Sequence, residues 1–223
     1  AVRAASPHRP NLLWRVAEYW SCPHAGVRGD PVVKTPAFDR IVREGVLFRN
    51  AFTPAPSCTP SRAAMATGQY HWRLESAANL GGSLLETVPT YPDLLQAAGY
   101  FTGFSGKGIA PGSNVHRPTS PCGRRFRNFE EFAKARPPRT PFAYWLGSGD
   151  PHRPYKSGEG AAAGMETKKV RVPACLPDNS VVRSDICDYY ARVQRFDARC
   201  GQILKHLEDS GELDNTLVVM TSD

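Results

Sequence analysis

An α/β fold with a mostly parallel central sheet flanked by helices is what this sequence predicts, and three observations carry the prediction. Short apolar runs alternate along the chain with stretches of helical periodicity. The helical stretches open on capping residues and close on glycine. With 223 residues and no internal repeat, the chain is long enough to bury one sizeable core.

The elements follow in order. Residues 11–17 read as a first strand, although Arg15 interrupts its apolar character. Thr35-Pro36 opens a helix, the threonine as cap and the proline in the first turn, with Phe38, Ile41 and Val42 facing inward and Gly45 as the stop. Residues 46–51 read as a strand leading toward Cys58. Residues 61–67 read as a helix with Pro60 in its first turn, which places Cys58 at a helix N-terminus, where unpaired N–H groups favour an anion. Residues 90–98 repeat the pattern of cap, helix and glycine stop, and 100–105 and 142–146 are further strands. Residues 108–127 are rich in Gly, Pro and Arg and read as a long loop; residues 156–180 read as an insertion loop. Residues 181–210 form a long helix closing at Gly211, and 216–221 a buried strand.

Composition narrows the function classes. Apolar residues make up 41% of the chain and charged residues 22%, ordinary for a globular protein. Net charge is +7, with basic runs at Arg124-Arg125-Phe126-Arg127 and Lys168-Lys169-Val170-Arg171. These suit polyanions in general, or are two solvated loop faces; no motif points to a nucleic-acid partner. The six cysteines contain no C-x-x-C pair, so neither a zinc site nor a redox motif is indicated. No apolar run has the length of a membrane span. The chain starts at Ala1 without methionine, which fits a signal peptide removed or never captured. No N-x-[ST] sequon occurs, which weakens a glycosylated lysosomal reading.

Cys58-Thr59-Pro60-Ser61-Arg62, running on to Thr67-Gly68, has the pattern C-x-P-S-R-x-x-x-x-T-G. A cysteine before an ordinary helix is the plain alternative, but the pattern resembles the signature of the formylglycine-dependent (type I) sulfatases. Ala66 stands where that family usually has leucine, a packing change. The resemblance implies an alkaline-phosphatase-like sulfatase domain and an enzyme that hydrolyses sulfate esters or sulfamidates. It implies that a formylglycine-generating enzyme oxidises Cys58 to an aldehyde, whose hydrate is the nucleophile. One hydroxyl attacks sulfur in line and expels the alcohol or amine; the second then loses its proton, and collapse to the aldehyde ejects sulfate. Arg62, one turn on, has a planar fork suited to sulfate oxygens or the diol oxygen.

The resemblance extends along essentially the whole chain, from Arg9-Pro10-Asn11 to Thr221-Ser222-Asp223. Within the family it is most similar to the N-sulfoglucosamine sulfohydrolase branch, through 29–36 (GDPVVKTP), 150–155 (DPHRPY) and 211–216 (GELDNT). Lys107 matches the lysine that family members point at the substrate sulfate; as a bare residue it is equally a loop lysine in solvent. His152 matches the D-P-H-R segment and would hold sulfate or protonate the leaving group, the alternative being an imidazole that fixes a turn beside Pro151. Arg153 is a weaker candidate for the same anion. A histidine expected two residues after the lysine is Ile109 here.

The implied cofactor is Ca²⁺ or a similar divalent cation, held by carboxylates and position 58. Glu18, Cys58 and Asp223 are its expected ligands, with Tyr19 standing where a second acid belongs. Residues 1–223 then correspond to the N-terminal part of a sulfatase catalytic domain, with the C-terminal remainder and a further ligand beyond Asp223. The implied substrate is a sulfated carbohydrate or another sulfate ester, with His71, Glu75 and Asn79 as residues that either face a sugar or form a surface turn. Family habit points to the periplasm or the cell exterior, with the lysosome as alternative. Two other readings stand beside this one: a phosphonate or phosphodiester hydrolase of the same superfamily, and a non-catalytic sulfated-glycan binder or degenerate fragment.

Overall fold

The computed structural model describes residues 9–113 and 117–223. Ala1 and the middle of the Gly/Pro/Arg-rich loop lie outside them. Among the described residues five strands form one sheet: β1 (Asn11–Ala17), β2 (Phe101–Gly106), β3 (Arg124–Arg125), β4 (Phe142–Gly147) and β5 (Thr216–Ser222). Their order is β3-β2-β4-β1-β5 and every pairing is parallel, with Trp14 in register with both Trp145 and Val219. Parallel strands need crossover helices that cover both faces. All six residues of β4 are accordingly buried.

Among the described residues six α-helices supply that cover: α1 (Pro36–Glu44), α2 (Cys58–Thr67), α3 (Tyr91–Ala97), α4 (Phe129–Ala135), α5 (Glu159–Ala162) and α6 (Ser180–Asp209). Strand side chains alternate between two cores. Leu13, Tyr144 and Leu146 pack with Phe129, Phe132 of α4 and Phe196, Leu207 of α6. Val16, Phe104 and Trp145 pack on the opposite face with Ala63 of α2, Leu74 and Leu84. The expected alternation of strands and helices is therefore the architecture observed.

Side-chain caps mark the starts of α3, α4 and α6, whereas Thr35 ahead of α1 makes no capping hydrogen bond. Thr90 and Asp93 form a capping box at α3, and the Asn179 side chain accepts the Val182 N–H at α6. Gly68 ends α2 at φ 68°, a left-handed conformation in which a side chain is strained.

Several expectations need correction. Residues 46–51 are not a strand; Val46 and Phe48 are 76% and 77% exposed, because no strand among the described residues pairs with them. The last strand is half-buried, not buried: β5 is the sheet edge and Leu217 is 59% exposed. On α1 the fully buried residue is Ala37, with Phe38, Ile41 and Val42 half-buried. Its first turn is tied to α6 by Asp197, which accepts the Ala37 and Phe38 N–H groups. Residues 156–180 are not all loop: they contain α5 and a 3₁₀ turn at Thr167–Lys169. Helix α4 was not anticipated. Arg15 does not break β1; it is fully buried, donates to the Cys200 carbonyl at 3.4 Å, and burial pushes its pKa below the ordinary value. All six cysteines are free.

Candidate active site

Ligand sites of open α/β sheets lie beyond the carboxyl ends of the strands. Here those ends deliver Glu18 after β1, Lys107 after β2, the 148–152 loop after β4 and Asp223 after β5. Backbone bonds hold the four ends in line: Ser148 donates to the Val16 carbonyl, Glu18 to that of Asp150, and Asp223 to that of Ala17. Lys107 donates its N–H to the Gly147 carbonyl at 2.9 Å, and a Cβ on Gly147 would lie 1.5 Å from the Lys107 carbonyl oxygen, so only glycine permits the approach.

Helix α2 runs into this cluster with Cys58 as its first residue and Ser57 as N-cap. The Cys58 Sγ is 3.1 Å from Glu18 Oε1 and 3.4 Å from the Tyr19 hydroxyl. Glu18, Cys58 and Asp223 are all buried and bring their ligand atoms within 4.8 Å of one another. The three residues expected as a metal site from separate parts of the chain thus meet.

Of the cationic residues, Arg62 takes up a place different from that expected, and Lys107 lies at the site. Arg62 is fully buried and does not present its fork to an open anion. Its Nε donates to Asp223 Oδ2 at 2.5 Å, and its two terminal nitrogens donate to the carbonyls of Lys107, Gly108 and Ser148. It is a clamp joining α2 to the ends of β2, β4 and β5. Lys107 Nζ is ion-paired with Glu18 Oε1 at the site, not free in solvent.

Tyr19 and His152 form the mouth. Their rings lie 5.0 Å apart, Tyr19 is 42% exposed, and His152 Nδ1 bonds to the Arg153 carbonyl, leaving Nε2 for other contacts. Tyr19 sits at φ 62°, a left-handed position that favours Asn, Asp or Gly over a bulky ring. Its phenol pKa is pushed up to about 12, first by its hydrogen bond with Cys58, then by burial and the nearby Cys58, Asp223 and Glu18 charges. The Tyr19 N–H donates to Asp223 Oδ1 at 3.0 Å.

Two expectations do not reach the site. Arg153 is exposed and paired with Asp185, its guanidinium over the Tyr155 ring at 4.4 Å. Ile109 is buried in the core with Val16, Phe104 and Trp145, so that position faces apolar neighbours. His71, Glu75 and Asn79 lie on or just after 3₁₀ turns beyond α2 and make no hydrogen bond to the site residues among the described contacts. Asp150 was missed. Its carboxylate, buried beneath the mouth, is gripped by Arg192, Arg195 and Arg199 of α6. The partners lie over 40 residues away, and only their spacing of three and four on one helix face hinted at them.

The donor set bears on what cation fits. Two carboxylates suit a hard cation, whereas the thiol of Cys58 is soft; an oxygen at position 58 would complete a hard set. Glu18 Oε1 accepts from Lys107 and Cys58, but Glu18 Oε2 accepts no bond among the described contacts, and each Asp223 oxygen keeps a lone pair beyond its bond to Arg62 or Tyr19. The phenol of Tyr19 adds no negative charge. The residues present therefore fit a divalent cation with two charged protein ligands.

Comparison with known proteins bears on the family and the fold. The sulfatase family model matches residues 10–119 and 123–223. Human N-sulphoglucosamine sulphohydrolase is 28% identical over 239 residues, covering 89% of this chain and 47% of the relative. The putative sulfatase YidJ of Bacteroides fragilis superposes with a TM-score of 0.78 at 19% identity, over all of this chain and 64% of that one. The phosphonate monoester hydrolase of Agrobacterium radiobacter does so with a TM-score of 0.69 at 16% identity, over 96% and 62%. At such identity the two structures speak for the fold alone. The chain spans about half the length of the curated relatives it matches.

Proposed function

The chain belongs to the sulfatase family, and on that premise we propose that it carries the reacting half of a sulfatase site acting on sulfate esters or sulfamidates of sulfated sugars. The observation that carries the reading is the convergence of Cys58, Glu18 and Asp223 within 4.8 Å at the carboxyl end of a parallel sheet, with Lys107 beside them. The name of the human relative supports a sulfated sugar as substrate class.

In this reading a formylglycine-generating enzyme acts on Cys58, and formylglycine there would supply a hydrated aldehyde as the nucleophile toward sulfur, displacing the alcohol or amine before sulfate is released. Glu18, residue 58 and Asp223 would hold a Ca²⁺-like cation, which would supply positive charge against the sulfuryl oxygens. The remaining work falls to side chains in place. Lys107, at the site edge, exchanges its pairing with Glu18 for a sulfate oxygen. His152 offers Nε2 to the leaving oxygen or nitrogen as a proton donor. Arg62 orients Asp223 and the strand ends without touching substrate. Location in the periplasm or outside the cell accords with this chemistry on polysaccharides.

Cys58→Ala tests the proposal: sulfate release from an aryl sulfate should vanish with the fold retained, and residual turnover would sink it. The likeness to a phosphonate monoester hydrolase favours a second reading. Rates on an aryl sulfate and an aryl phosphate diester, measured side by side, separate the two. A third reading, a glycan binder or relic without catalysis, is motivated by Tyr19 and Ile109; calcium that leaves the melting temperature unchanged would favour it.

A further inference from the structure

One face of α6 grips both loops that form the mouth. Asp150 stands at the root of the loop carrying His152. Arg195 donates to both of its carboxylate oxygens at 2.8 and 2.7 Å, Arg192 donates at 3.3 Å, and Arg199 lies at 3.6 Å. Arg192 and Arg195 also hold Glu159 at 3.0 and 2.9 Å, the first residue of α5. One turn earlier on α6, the Tyr189 hydroxyl accepts the Ser21 N–H at 3.0 Å and donates to the Tyr19 carbonyl at 3.1 Å. The two loops are joined by Asp150 itself, whose carbonyl accepts the Glu18 N–H at 2.9 Å, and by the contact of the Tyr19 and His152 rings.

Among the described contacts, none of these arginines bonds to Cys58, Arg62 or Lys107. Their charge is spent on a carboxylate one residue removed from the site on either side: through its carbonyl toward Glu18, and through Pro151 toward His152. Charge-assisted bonds from a planar guanidinium fix direction as well as distance, and reacting groups lose rate steeply when displaced by an ångström.

We propose that Asp150 and Arg195 are positioning residues, a brace through which α6 sets the Glu18 backbone and the His152 ring against position 58. The inference rests on the sulfatase reading for its chemical consequence, and on the hydrogen bonds alone for its mechanical one.

The test uses the full chain carrying formylglycine at position 58, compared with Arg195→Ala, Arg195→Lys and Asp150→Asn. Arg195 is partly exposed, so its truncation leaves the core intact. Three quantities are read: hydrogen exchange of the Glu18 amide, kcat and KM on an aryl sulfate, and the pH profile of kcat. Arg195→Ala should speed Glu18 exchange and lower kcat by about tenfold, with KM little changed. It should also alter the limb of the pH profile that reports the proton donor, and Arg195→Lys should restore part of each. Unchanged Glu18 exchange and kcat, with only a lower melting temperature, would overturn the brace. If the wild type is inert toward sulfate esters, the sulfatase reading falls. Glu18 exchange then decides alone: faster exchange in Arg195→Ala and Asp150→Asn upholds the brace, and no change removes it.

Discussion

The floor and the mouth of the site are built on different principles. On the floor, Arg62 and Asp223 are completely buried, and each nitrogen of the guanidinium has an oxygen partner. At the mouth, Tyr19 is 42% exposed in a left-handed backbone position and touches His152 ring to ring. A buried charge tolerates no missing partner, so the floor permits few residue types. Water can replace any partner lost at the mouth. Tyr19 departs from the family pattern at the open mouth, where it is 42% exposed, whereas the other two departures, Ala66 and Ile109, are buried and carry no charge to satisfy.

The largest effect should come from the floor. Arg62→Met removes the partner of a buried carboxylate and the clamp on three strand ends. Breaking one side of such a pair costs about 3–5 kcal/mol, which lowers the melting temperature by roughly 10 °C in a chain of this size. A shift of only a degree or two, measured by calorimetry, would erase the distinction between floor and mouth.

A smaller effect is expected from the mouth. Tyr19→Asp replaces a neutral phenol with a third carboxylate beside Glu18 and Asp223, in a backbone conformation that aspartate accepts more readily. Ligand charge count tunes calcium affinity. Calcium should bind the variant about tenfold more tightly, a gain of about 1.4 kcal/mol, read by titration calorimetry. Without calcium the added repulsion should lower stability. An unchanged Kd would mean that position 19 does not face the cation, and would remove the best physical ground for treating Tyr19 as a deficit.

The same contrast explains what the sequence made legible. Strand β1 and helices α3 and α6 carry local signals, such as the Thr90–Asp93 box and the cap at Asn179, and their observed bounds lie within a residue or so of those expected. Helix α4 had a comparable signal, since the Asn128 side chain caps the Glu131 N–H ahead of Phe129 and Phe132, but it sits between a loop and a strand in a short segment. Residues 46–51 mislead because an apolar run says nothing about whether a partner strand is beside it. For the site, the family resemblance that begins with the C-x-P-S-R stretch brought Cys58, Glu18 and Asp223 into one proposal. The use of Arg62 was not legible, because its partner Asp223 is 161 residues away and a guanidinium suits sulfate and carboxylate alike. The three arginines on Asp150 were hidden for the same reason.

Acid should separate the brace beneath the mouth from the uncharged parts of the structure, with the smallest expected effect. Burial pushes the Asp150 carboxyl upward, but the hydrogen bonds and charge of Arg195, with the hydrogen bond of Arg192 and the charge of Arg199, outweigh it and leave the group below its ordinary value of 3.8. A carboxyl depressed in the folded state contributes stability above its unfolded pKa, and that contribution is lost as the pH falls through the folded value. The melting temperatures of wild type and Asp150→Asn should therefore differ most at neutral pH and converge as the pH falls below about 4. Because Asn keeps the shape and the backbone bonds, the part of the gap that closes is electrostatic. A gap that stays constant across this range would mean that the three arginines hold the loop by packing and neutral hydrogen bonding, and the mouth would then owe its geometry to shape alone.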